Sequence, residues 1–163
     1  MNSFTNTRCI GLSAALLMLA AFAPASVSAG EKIPHSHIAV SAGWALERKK
    51  EKDEEAFTLG IDYEYRATEL WGFGGTAEWL GDDVVRNFTV VGLVSLHPAG
   101  GLRVFTGPGI EFTDKKDKAM LRLGVGYEFH LNERWSLAPE FFGDFIENGE
   151  RTYVGAIALG YSF

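Results

Sequence analysis

From Ile38 to the last residue the chain alternates apolar with small or polar residues at a period of two, the mark of half-buried β-strands. In a first segment Ile38, Val40, Ala42, Trp44 and Leu46 share one face, with Ala39, Ser41, Gly43 and Ala45 on the other. A second sets Phe57, Leu59, Ile61, Tyr63 and Tyr65 against Thr58, Gly60, Asp62, Glu64 and Arg66, and a third sets Trp71, Phe73, Gly75, Ala77 and Trp79 against Gly72, Gly74, Thr76 and Glu78. A fourth, near Phe88 to Leu96, is apolar on both faces and is the one the pattern defines least. The fifth places Leu102, Val104, Thr106, Pro108, Ile110 and Phe112 against Arg103, Phe105, Gly107, Gly109 and Glu111. The sixth has Leu121, Leu123, Val125, Tyr127 and Phe129 opposite Arg122, Gly124, Gly126 and Glu128. The seventh has Trp135, Leu137, Pro139, Phe141 and Phe145 opposite Ser136, Ala138, Glu140 and Asp144. The eighth has Tyr153, Gly155, Ile157, Leu159, Tyr161 and Phe163 opposite Thr152, Val154, Ala156, Ala158, Gly160 and Ser162. Each segment is near the length, about 9 to 11 residues, with which a tilted strand crosses a bilayer.

Alternation alone does not separate a membrane barrel from a soluble one, so side-chain size and position along the strand must decide. Gly60, Gly72, Gly74, Gly107, Gly109, Gly124, Gly126 and Gly160 all fall on the polar face. A solvated face has no use for them, whereas an eight-stranded interior is only just wide enough for side chains to fill. The tryptophans agree: Trp71 and Trp135 open strands, while Trp44 and Trp79 come late in strands, so two aromatic residues fall at each membrane interface. Pro108 and Pro139 each remove a ladder donor and are expected to mark bulges.

Composition and the amino-terminal stretch change the picture in two ways. The net charge of −6 argues against a basic nucleic-acid surface. Arg8, the only charged residue before Glu31, precedes an apolar run from Ile10 to Ala23, then Pro24 and Val27-Ser28-Ala29. That pattern predicts a secretory signal peptide over 1–29, cut after Ala29, with 30–163 as a single barrel domain. The run falls short of the about 20 apolar residues of a membrane helix. Cys9, the only cysteine, would leave with it, so the exported domain relies on no disulfide.

These segments, with "GPGIEF", "LNERWSLAPE" and the closing Tyr161-Ser162-Phe163, resemble the small bacterial outer-membrane β-barrels of the OmpA and OmpX type. The resemblance implies an all-β, eight-stranded, antiparallel up-and-down transmembrane barrel in the bacterial outer membrane, with the amino terminus in the periplasm. The charged connections "ERKKEKDEE", "GDDVVRN", "TDKKDK" and "ENGERT" are then extracellular, and "ATEL", "HPAGG" and "HLNE" periplasmic. It also implies that Tyr161 and Phe163 are read by the barrel-assembly machinery, with periplasmic chaperones and outer-membrane lipids as further partners and a monomeric product.

The inward face carries the candidate chemistry. Seven acids, Asp62, Glu64, Glu78, Glu111, Glu128, Glu140 and Asp144, meet three arginines, Arg66, Arg103 and Arg122. Buried charges must pair, and neighbouring strands suggest Arg122 among Glu111, Glu140 and Asp144, and Arg103 near Glu128. The expected outcome is a structural plug; the alternative is a narrow cation-selective conduit favoured by the acidic excess. Lipid A-modifying enzymes and proteases of this shape resemble one another in placing a catalytic His with Ser or Asp towards the extracellular side. Here His35, His37, His97 and His130 all map to the periplasmic end, so no catalytic base is expected and the reading is non-enzymatic. His35 and His37 alone are too few for a metal site, and no cofactor is expected. The loop from Glu47 to Glu55 is expected as a mixed-charge hairpin tip, a place for a surface ligand that the sequence does not specify. The function expected is a role in envelope structure or surface interaction.

Overall fold

The computed structural model describes residues 35–48, 53–81, 86–98, 100–114 and 116–163. The signal peptide expected over 1–29 lies outside the described residues. Nine strand segments follow in order: β1 (Ser36–Arg48), β2 (Asp53–Arg66), β3 (Trp71–Gly81), β4 (Arg86–Leu96), β5 (Leu102–Phe112), β6 (Lys118–Tyr127), β7 (Phe129–His130), β8 (Trp135–Ile146) and β9 (Arg151–Ser162). Each pairs antiparallel with its sequence neighbour, β1 also pairs with β9, and β6 pairs with β8, so the sheet closes on itself. The two-residue β7 continues β6 after a break at Glu128, on the same register against β8. The result is an eight-stranded up-and-down barrel, a form that leaves no unpaired sheet edge in a solvent where none is tolerated.

The inward and outward faces follow the sequence alternation in every strand. Val40, Trp44, Leu59, Ile61, Leu121 and Leu123 are exposed, while Ala45, Thr58, Glu78, Arg122 and Val154 are buried. β4, apolar on both sides, turns Thr89, Val91, Leu93 and Ser95 inward. All four tryptophans lie on the outer face, Trp44 at 56% exposure. Trp71 to Trp79 spans eight residues of β3, about 27 Å of strand and about 21 Å along a membrane normal for a tilt near 40°. At the end where the chain terminus lies, Trp135, Tyr161 and Phe163 form a packed aromatic set, with ring centroids 5.1 and 6.3 Å apart.

Two expectations are corrected. Pro108 and Pro139 sit in ladders of constant register, so neither marks a bulge. Instead, pairing lapses opposite them: Val91 to Gly109 and Val94 to Thr106 keep one register across an unpaired gap, and the β6–β8 ladder stops at Glu140, beside Pro139. A missing N–H removes a rung without requiring an extra residue. The stretch Glu47–Glu55 expected as a hairpin tip is strand at both ends, because Glu47 pairs with Glu54 and Arg48 with Asp53, while residues 49–52 between them lie outside the described residues. Alternation continues into the charged stretch, where Glu47 is buried and Arg48 exposed.

The lumen is narrow enough that glycine is required at particular points. A Cβ on Gly124 would lie 2.4 Å from the Phe105 ring and 2.6 Å from Cβ of Phe142. Both rings point inward and pack at 6.2 Å. Gly124→Ala is therefore expected to cost about 1–3 kcal/mol by overpacking, read from the denaturant midpoint of the refolded barrel; an unchanged midpoint would show the rings yield freely.

Candidate functional site

The candidate site is the lumen itself, which the inward faces divide into layers. Near the end where β1 begins and β9 ends lies a charged cluster. Arg66 reaches Glu128 at 2.5 Å and Glu64 at 3.2 Å, and Arg103 reaches Glu64 at 3.0 Å and Glu140 at 3.1 Å. His97 contacts Glu64 at 2.9 Å, and His37 lies 3.0 Å from the Ser162 hydroxyl and 3.7 Å from Glu128. His37, Glu64, Arg66, Arg103, Glu128 and Glu140 line a cavity of about 10 Å³, room for one water.

At mid-barrel Arg122 forks onto Asp144, with both contacts at 2.7 Å, and extends to Glu78 at 2.7 Å. Its guanidinium stacks on the Phe142 ring 3.9 Å away. All three charged groups are almost wholly buried, Arg122 and Asp144 at 2% and Glu78 at 3% exposure. Asp62 lies on the same inner face of β2, its partner across the β3 ladder being Thr76. Above this comes an apolar layer that includes Ala45, Ala56, Leu80, Val91, Met120 and Val154, each buried. The far mouth is polar again: Asn87 donates to Glu111 at 2.9 Å and to Glu47 at 3.3 Å, and Lys118 pairs with Glu150 and lies 3.6 Å from Glu111.

The structure thus gathers the predicted charges in three groups, with Arg122 on Asp144 as expected and the other partners different. Arg122 meets Glu78 and Asp144, with neither Glu111 nor Glu140 beside it in the ion pairs, and Glu128 belongs to Arg66 while Arg103 takes Glu64 and Glu140. The reason is reach across the lumen. β3 stands three strands from β6 round a ring of eight, and β2 stands opposite the β6–β7 join. An extended arginine crosses that gap, whereas neighbour reasoning considers only adjacent strands. Sequence reasoning also missed Glu47, Asn87 and Lys118, which it had placed in loops or on an unassigned face, and His37 and His97, which line the lumen. Their signal was available: each continues the period-two phase of its strand.

All four histidines lie at the end where β1 begins and β9 ends, together at one end as the sequence predicts. Ser162, His37 and Glu128 have the residue types of a hydrolytic triad. However, Glu128 is engaged by Arg66 and stands beyond hydrogen-bond distance of the ring, so the carboxylate that would orient the base is committed elsewhere. His35 is exposed and contacts the carbonyl of Arg66 at 3.1 Å, away from His37's partners. Among the described residues no group of three or more metal-ligating side chains has metal-site geometry.

Comparison with known proteins identifies this arrangement. The family model described as outer membrane protein beta-barrel domain matches residues 13–163. No curated protein matches the chain in sequence. Among solved structures it is similar to neisserial surface protein A, with a TM-score of 0.59 at 10% identity, covering 79% of this chain and 97% of that one. It is likewise similar to the N-terminal barrel of Pseudomonas aeruginosa OprF, with 0.57 at 18% identity over 78% and 97%. The attachment invasion locus protein Ail of Yersinia pestis gives 0.53 at 14% identity over 79% and 99%. At these identities the likeness shows the fold, and the family match over most of the chain shows the rest: this chain belongs to the outer membrane protein beta-barrel domain family and is a protein of the bacterial outer membrane.

Proposed function

We propose that the chain is a non-enzymatic, non-conducting barrel whose role lies in envelope structure or in contacts made at the cell surface. The observation that carries this reading is the Arg122, Glu78 and Asp144 cluster, which spans the lumen directly beneath a layer of buried apolar side chains. A conduit needs a continuous wet path, and a buried ion pair held against a ring with apolar side chains above it removes one. The neighbouring structures include surface and attachment proteins by name, which supports a surface role for this chain. Tyr161 and Phe163, lipid-facing at the closing strand, are proposed to engage the barrel-assembly machinery and the chaperones that deliver to it. Recording from purified barrels in planar bilayers tests the plugged lumen: no unitary conductance is expected, and stable openings in the wild-type protein would overturn the proposal.

A further inference from the structure

At the extracellular rim, two like charges stand side by side. Arg48 on β1 and Arg151 on β9 are direct register partners, both exposed on the lipid-facing side. Directly opposed like charges destabilise an antiparallel pair, so this rung is costly unless an anion joins it. The same rung continues to Phe145 on β8 and Asp53 on β2. One carboxylate faces two guanidiniums and leaves the rung positive. The nearest carboxylate of the rung below, Glu55, accepts from the Trp44 indole at 3.2 Å.

Each arginine also lies over an aromatic ring. The Arg48 guanidinium sits 5.9 Å over the Tyr153 ring and that of Arg151 sits 5.9 Å over Phe145. Arg48 is four residues beyond Trp44, about 13 Å of strand and about 10 Å along the normal, which is headgroup height. Two outward-facing rungs below the pair, past Tyr153, the surface dips. Gly155 lies between Trp44 on β1 and Phe141 on β8, its register partners, both 56% exposed. A Cβ built on Gly155 would meet no atom within 4 Å. The dip is an open slot between two projecting aromatic side chains, with the Tyr153 ring, stacked on Phe141 at 6.5 Å, standing between it and the arginine pair.

We propose that the β8–β9–β1 face binds one phosphorylated lipid of the outer leaflet, its phosphate forked by Arg48 and Arg151 and an acyl chain seated in the slot over Gly155. Guanidinium groups suit this because each presents paired N–H donors to phosphate oxygens. The slot supplies the second requirement, apolar contact for the chain attached to that headgroup.

The test is native mass spectrometry of the folded barrel purified from outer membranes, exposed to bis-phosphorylated lipid A, to the same lipid A after dephosphorylation, and to inorganic phosphate. Retention of the phosphorylated form at least ten-fold above the dephosphorylated form is expected, undisturbed by excess inorganic phosphate. Arg48→Gln with Arg151→Gln should abolish that preference, and Gly155→Val should lower retention of the phosphorylated lipid several-fold. Because a Cβ at 155 meets open space, that variant folds and gives a reading even if the double variant does not. Equal retention of the two lipids by the wild-type barrel, full retention by the double variant, or displacement by inorganic phosphate would each overturn the assignment.

Discussion

Replacing Arg122 with alanine is expected to lower the unfolding free energy of the barrel by about 3–5 kcal/mol, because it strands two buried carboxylates. Asp144 and Glu78 each contact the guanidinium at 2.7 Å, and neither reaches solvent. With the cation gone, their mutual repulsion and lost hydration must be met by protonation, by water entering the packed lumen, or by partial opening of the strands. The change also deletes the stack on Phe142 and leaves a cavity beside it. Urea titration followed by heat-modifiable migration reads the loss directly. A companion variant separates charge from packing: Arg122→Met with Glu78→Gln and Asp144→Asn removes the stranded charges together and is expected to recover most of the deficit. A single variant within about 0.5 kcal/mol of wild type, the range of an ordinary surface change, would show that the cluster contributes nothing to holding the lumen shut.

The second large effect lies one residue away, on the other face. Leu123 is 52% exposed and stands mid-strand on β6. Leu123→Arg is expected to cost about 2–4 kcal/mol when the barrel folds into a bilayer, the penalty of an arginine on the lipid face near the midplane. The same substitution at an exposed position of a water-soluble barrel would fall within about 0.5 kcal/mol, so the measurement distinguishes lipid from water as the solvent of this face. Refolding into vesicles of a thin-chain lipid, with tryptophan fluorescence against urea, gives the number. Near neutrality would contradict a membrane-embedded β6. The contrast with Arg122, whose burial inside is satisfied, and Leu123, whose replacement outside is not, is the consequence of a period of two in a wall with different media on its sides.

Much of this protein was legible along the chain because a β-barrel wall is built from local periodicity. The glycines on the polar phase, Gly72, Gly74, Gly124 and Gly126 among them, announced a crowded interior, and a Cβ on Gly72 would indeed lie 2.7 Å from the carboxyl carbon of the Glu64 side chain. The limits of strands were less legible at the rim remote from the carboxyl terminus. Charged stretches such as Glu47 to Glu55 read as loop by composition, yet pairing between β1 and β2 continues to Arg48 and Asp53. Above the bilayer a strand no longer needs apolar residues outside, so hydropathy stops reporting it while backbone hydrogen bonds persist.

By itself the sequence determined the number of strands, their order as a meander, the face each residue presents and the medium outside, since every one of these follows from alternation, chain connectivity and residue size. Only the tertiary structure decided which charges meet: Arg66 with Glu128, Arg103 with Glu64, Arg122 with Glu78. Those partners stand on strands far apart round the ring, and their heights are set by the tilt and stagger with which eight strands close. That stagger is a property of the closed sheet as a whole, so no strand's own pattern carries it.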